Sequence, residues 1–175
     1  MPNHNKIVDE ITREQLVKLQ PKRVIDVGAG NGSYGRMIRE CLDKCEIIGI
    51  EVWKPYIEGY TLWKLYDKVI LGDIRILIDD ERIYGDLIIF GDVLEHLPKK
   101  DALDIVKKAS KKFKFILINS PIGFQPQGVE NNPYETHLCG ISKEDFLDFN
   151  IVEYHDFKPE HQMFNLLIRG EINGK

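Results

Sequence analysis

The sequence predicts an α/β fold: a seven-stranded, mostly parallel sheet with an antiparallel last strand and helices on both faces. Three observations predict it. Short apolar runs alternate with segments of helical period along the first two thirds of the chain. The fourth run, Asp86–Phe90, is apolar almost throughout, as a parallel strand covered on both faces must be. The first run, Arg23–Val27, leads into a glycine-spaced turn, Gly28-Ala29-Gly30-Asn31-Gly32, at which a helix begins.

Residues 1–22 form an N-terminal helical segment, and 23–175 are expected to form one domain. In the first piece Ile7, Val8 and Ile11 suggest an apolar stripe, Thr12 with Gln15 has the pattern of a capping box, and Pro21 ends the helix. Glycines at 28, 30 and 32 remove side chains that would hold a ligand off the backbone. The helix after them would turn its N–H groups and positive end toward that ligand. Its apolar face carries Tyr34, Met37, Ile38, Cys41 and Leu42. The second strand, Glu46–Ile50, ends at Glu51, 25 residues beyond Asp26, where a carboxylate can accept from both hydroxyls of a ribose.

Lys54–Tyr66 reads as a helix with Tyr56, Tyr60 and Trp63 near one face, the usual pattern of core aromatics. The third strand is Lys68–Leu71, followed by Gly72-Asp73-Ile74, where Asp73 can cap the next helix. After Asp86–Phe90 comes Gly91-Asp92-Val93-Leu94-Glu95-His96-Leu97-Pro98, then a helix burying Ala102, Ile105, Val106 and Ala109, then a fifth strand at Phe113–Ile118. Asn119–Ile141 is interrupted by Pro121, Gly123, Pro126, Gly128, Pro133 and Gly140, yet carries Phe124, Tyr134, Glu135 and His137. A loop of that length and composition in a compact domain is a functional wall or lid. Ser142–Asp145 has the form of a capping box, and Val152–Phe157 and Met163–Ile168 read as two closing strands joined around Pro159.

At 175 residues the chain can bury a substantial core, and 43% hydrophobic with 30% charged residues is ordinary for a globular protein. A formal charge of -4 disfavours a dedicated nucleic-acid binder, and the lysines at 107, 108, 111 and 112 read as a solvated helix face. No apolar run reaches membrane-spanning length, and MPNHNKIVDE lacks the apolar centre of a secretion signal. Cys41, Cys45 and Cys139 are too few for a disulfide framework and read as thiols of a cytoplasmic protein.

Asp26-Val27-Gly28-Ala29-Gly30-Asn31-Gly32 resembles the first motif of the class I S-adenosylmethionine-dependent methyltransferases. Gly91–Pro98, GDVLEHLP, resembles the fourth motif of many small members of that family, and Asn132–His137, NPYETH, a stretch after their fifth strand. The resemblance covers nearly everything after residue 22 and implies the class I fold, S-adenosylmethionine as cofactor and methyl transfer as activity. Cofactor contacts are implied for Asp26, Gly28, Ala29, Gly30, Asn31, Gly32 and Tyr34, for Glu51 and Val52, for Asp73 and Ile74, and for Asp92 and Val93. The dinucleotide fingerprint G-x-G-x-x-G is not matched, which weakens a nicotinamide-linked oxidoreductase.

For the reaction, His137 is the first candidate base, because it lies in the loop expected to face the acceptor and titrates near neutrality; Asp92 is the second. Asp92-x-x-Glu95-His96 with a distant His137 also resembles the Glu-x-x-Glu-His set of small-RNA 2′-O-methyltransferases, which implies a divalent ion on Asp92, Glu95, His96 and His137. The sequence is thus read as a methyltransferase for O or N of a small molecule. An RNA or protein methyltransferase and a non-catalytic cofactor-binding module are the alternatives.

Overall fold

The computed structural model describes residues 6–158 and 161–172. Its elements are α1 (Lys6–Leu19), β1 (Arg23–Val27), α2 (Ser33–Cys41), β2 (Glu46–Glu51), α3 (Lys54–Gly59), β3 (Lys68–Leu71), α4 (Ile74–Leu77), β4 (Gly85–Gly91), α5 (Lys99–Ser110), β5 (Phe113–Pro121), β6 (Asn150–Asp156) and β7 (Met163–Arg169). Short 3₁₀ turns occupy Leu62–Lys64, Leu94–His96, Pro133–Glu135 and Lys143–Phe146.

The strands make one sheet in the order β3-β2-β1-β4-β5-β7-β6. β1 to β5 run parallel; β7 is antiparallel to β5, and β6 to β7. This is the predicted architecture, with β6 at the edge and β7 inside. Alternation along the strands divides the core. Ile25, Ile88 and Phe90 face α4 and α5, whereas Val24, Leu87 and Ile89 face α1 and α2. The chain order reverses between β1 and β4, so a crevice opens where their carboxyl ends diverge, the usual ligand position of an open α/β sheet.

Several local expectations are corrected. Thr12 and Gln15 are not a capping box: α1 has already begun at Lys6, and both side chains are buried against the sheet. The helix expected over Lys54–Tyr66 stops at Gly59 and continues as a separate 3₁₀ turn, because Thr61 takes a left-handed backbone with φ 51°. Its aromatics are core only in part: Tyr60 packs half-buried against the core, whereas α3 buries no residue and Trp63 is 55% exposed. β5 runs past Ile118 to Pro121, pairing Asn119, Ser120 and Pro121 with Asn165, Phe164 and Met163. The Ser142 capping box is formed, and Cys41, Cys45 and Cys139 are free thiols. The connection expected around Pro159 and residues 1–5 of the N-terminal segment lie outside the described residues. No described helix is long and apolar enough to cross a membrane.

Candidate functional site

A cavity of about 930 Å³ lies over the carboxyl ends of β1 and β4. Its floor is the glycine turn. Gly28 has φ 68°, and a Cβ there would meet Val93 Cγ2 at 2.6 Å, so the glycine lets the β4 turn close against β1. Gly30 has φ 52°, and a Cβ there would meet nothing nearer than the Gly28 carbonyl at 3.5 Å. Of these two, Gly30 is the one that leaves open backbone beneath a ligand. At Gly32 the missing side chain makes room for Leu65 rather than for the cavity. Asn31 Oδ1 accepts from the Ser33 N–H at 3.0 Å and starts α2.

The acidic residues at the strand ends have distinct surroundings. Asp26 is fully buried beneath the turn and accepts from the Tyr66 hydroxyl at 2.5 Å. Glu51 is 4% exposed and accepts from the Gly30 N–H at 2.8 Å and the Trp53 N–H at 2.7 Å. Burial raises its pKa against the pull of those two bonds. Asp73 caps α4 through the Arg75 N–H at 2.8 Å and holds the Arg75 guanidinium with both oxygens. Burial would raise the Asp73 pKa, but the Arg75 bonds outweigh it and hold it below its ordinary value. Ile74 is buried in the α4–α5 core. Gly28, Ala29, Gly30, Asn31, Tyr34, Asp92 and His137 therefore line the cavity, while Asp26, Gly32, Glu51, Val52, Asp73, Ile74 and Val93 stand behind or beside it.

The opposite wall comes from the turn after β4 and the loop after β5. Asp92 takes φ 53°, an uncommon conformation for a residue with a side chain, and its N–H donates to the Asn119 carbonyl at 2.9 Å. Glu95 is 1% exposed; its Oε2 accepts from Ser120 Oγ at 3.2 Å, and its Oε1 has no hydrogen-bond partner among the described residues. Burial first, and the Asp92 charge second, push its pKa well above the usual carboxylate range. The loop is pinned to this turn: the N–H groups of Leu138 and Cys139 donate to the Glu95 carbonyl at 2.8 and 3.2 Å.

His96 and His137 meet edge to face, their ring centroids 4.8 Å apart. His96 Nδ1 bonds the Thr136 carbonyl at 3.2 Å, and His137 Nδ1 bonds the Gln125 carbonyl at 2.5 Å. A carbonyl only accepts, so each Nδ1 carries a proton, and in the neutral form of either ring the lone pair is on Nε2. Burial, with His137 close by, lowers the His96 pKa despite the Thr136 bond, favouring that neutral form. One ligand atom from each of Glu95, His96 and His137 lies within 4.8 Å of the others. Asp92, the fourth residue of the expected metal set, does not join this group.

Several residues of the wall were not marked individually by the sequence, although the loop after β5 was expected to form a wall or lid. The first turns of α1 contribute Lys6, Ile7, Val8 and Glu10, and α3 with the residue that follows it contributes Tyr56 and Tyr60, with ring centroids 5.6 Å apart. Gln125 and Gln127 come from the loop, and Met163 from β7. The one legible signal among these was the aromatic spacing on α3, which is equally the signature of a core face.

No family model matches the chain, and no curated protein does. Solved structures do share its fold. A S-adenosylmethionine-dependent methyltransferase from Clostridium acetobutylicum superposes with TM-score 0.68 at 12% identity, over 96% of this chain and 92% of that one. One from Archaeoglobus fulgidus gives 0.65 at 16% identity, over 92% and 94%. The N-terminal domain of EvdMO1, crystallised in the presence of SAH and D-fucose, gives 0.68 at 9% identity, over 96% and 84%. The fold is that of the class I methyltransferases, mixed sheet included.

Proposed function

We propose that this chain is a S-adenosylmethionine-dependent methyltransferase that modifies an oxygen or nitrogen of a small-molecule acceptor. The observation that carries the reading is the meeting, at the strand-order reversal, of an open glycine backbone at Gly30 in the cavity floor and a buried carboxylate, Glu51, that accepts from the Gly30 N–H behind that floor. These residues fit the cofactor's adenosyl part. Glu51 is already held in place by backbone N–H groups and can offer its remaining lone pairs to ribose hydroxyls. A cavity of about 930 Å³ also leaves room for an acceptor beyond the cofactor. Small acceptors suit the formal charge of -4 and the D-fucose present with the EvdMO1 domain.

The cofactor, when bound, supplies a methyl group on a sulfonium, already activated for displacement. The protein has to align the acceptor and exclude water. The loop pinned at Leu138 and Cys139 forms the wall that serves the second, with His137 in it. His137 Nε2, with Nδ1 anchored on Gln125, can take the proton of an acceptor hydroxyl or amine, and Asp92 on the same wall is the second candidate base. Calorimetry with S-adenosylmethionine, SAH and NAD on the full chain tests the cofactor. SAH should bind and NAD should not, and Glu51→Ala should weaken SAH by about 1–3 kcal/mol, the loss usual for hydrogen bonds to a charged group. NAD binding in place of SAH would refute the reading.

A second reading has one specific observation behind it. Glu95 presents an unpartnered buried oxygen beside two imidazoles whose Nε2 lone pairs are left over, each oriented by a carbonyl on its other nitrogen. That is the donor set and the orienting shell of a divalent-ion site. An ion there would lower the pKa of an acceptor hydroxyl, a sugar or RNA ribose included, and would take over the part assigned to His137. Manganese binding followed by electron paramagnetic resonance should show one site, lost in Glu95→Gln and in His137→Asn. Absence of binding, with turnover unchanged in chelator, leaves His137 as the base.

A further inference from the structure

Four fully or nearly fully buried polar side chains, Thr12, Gln15, Asn119 and Asn165, lie between α1 and the sheet, where apolar side chains would pack at less cost in desolvation. Asn119 Nδ2 donates to Thr12 Oγ1 at 3.1 Å and to the Tyr34 hydroxyl at 2.9 Å. Asn165 Nδ2 donates to Asn119 Oδ1 at 2.8 Å and to Gln15 Oε1 at 3.0 Å. Gln15 Nε2 donates to Asn165 Oδ1 at 2.9 Å and to Glu153 Oε2 at 3.0 Å. Every N–H of the three carboxamides is used, so none can flip without leaving a buried group unpaired. The chain of bonds therefore has one orientation, and it runs from Glu153 on β6 to Tyr34 in the cavity wall.

Asn119 acts on the cavity twice. Its side chain fixes the Tyr34 hydroxyl, and its carbonyl accepts from the N–H of Asp92, the residue held at φ 53°. On the other side, Thr12 and Gln15 set where α1 sits along the sheet, and the first turns of α1 form part of the cavity wall. We propose that Asn119 is the positioning residue of this cavity, and that Thr12, Gln15 and Asn165 lock its carboxamide, so that Tyr34 is placed through this chain of amides and not through the apolar packing of α1. The proposal rests on the cofactor reading for its ligand readout alone.

Thr12→Val removes one acceptor from Asn119 without touching the cavity, and Thr12→Ser retains it. Leu16→Ala loosens the same helix by removing a fully buried apolar contact and leaves the amide chain intact. In the full chain with ring-labelled tyrosine and no ligand, the Tyr34 resonance should shift in Thr12→Val and stay in place in Thr12→Ser and Leu16→Ala. By SAH titration, Thr12→Val should bind at least threefold more weakly than wild type, with Thr12→Ser unchanged. A Tyr34 resonance unmoved by Thr12→Val, or moved equally by Leu16→Ala, would overturn the proposal. So would an undiminished SAH affinity in Thr12→Val when wild type binds SAH. If wild type does not bind SAH, the cofactor reading falls by itself, and the Tyr34 resonance still decides the proposal.

Discussion

A Cβ on Gly91 would lie 2.0 Å from the Tyr34 ring, which rests directly on that backbone. Gly91→Ala should therefore destabilise the protein by about 1–3 kcal/mol, the cost usual for overpacking, as read from its urea midpoint. Adding Tyr34→Leu should restore part of that loss. At this scale the sequence was informative about where a residue stands. Glu51 is such a case, since the apolar run before it puts it at the end of β2, where it is found. It was misleading where the deciding partner is distant. Thr12 and Gln15 match a capping pattern, but their partners are Asn119 and Asn165, more than a hundred residues away. Asp73 was legible as a cap, whereas its grip on the neighbouring Arg75 depends on a rotamer that no spacing rule reports.

Among the elements, β1 and β4 are joined at their amino ends by one side chain. Asp86 accepts from the N–H groups of Lys22 and Arg23 at 2.8 and 3.2 Å and pairs with Lys114 at 2.7 Å. Burial would raise its pKa, but the bonds to Lys114 and the two N–H groups prevail and hold it below the ordinary value. A carboxylate lowered by folding stabilises the protein above its unfolded pKa of about 3.9, and that contribution is lost as pH falls through the folded pKa. Asp86→Asn should thus cost about 1–3 kcal/mol at neutral pH, shrinking toward zero as the pH drops below about 4. Urea midpoints against pH measure it. Most elements could be read from periodicity. The exceptions have one local and one distant cause: Thr61 at φ 51° breaks the helix that the tyrosine spacing suggested, and β5 gains its last residues from pairing with β7 although Asn119 and Ser120 break the apolar run.

For the molecule as a whole, a ligand that binds only the folded chain must raise its melting temperature. At a hundred times its Kd, SAH should contribute about 2.7 kcal/mol, or about 5–10 °C for a chain of this size, and Glu51→Ala should reduce the shift at the same concentration. The parallel half of the sheet was visible in the alternation of strands and helices, and the cavity was visible at its floor and in the loop after β5, whereas the part of its wall that comes from Tyr56 and Tyr60 was read as core. The interior place of β7 shows in its burial: MFNLLIR is buried along nearly its whole length, whereas no residue of NIVEYHD in β6 is fully buried. That order of strands bears on synthesis. β6 leaves the ribosome before the strand that separates it from β5, so until Met163–Arg169 emerges β6 has no neighbour and β5 shows a bare hydrogen-bonding edge. A nascent chain halted in that interval is a template for pairing with its own copies, and it should depend on chaperones in a way that the finished chain does not.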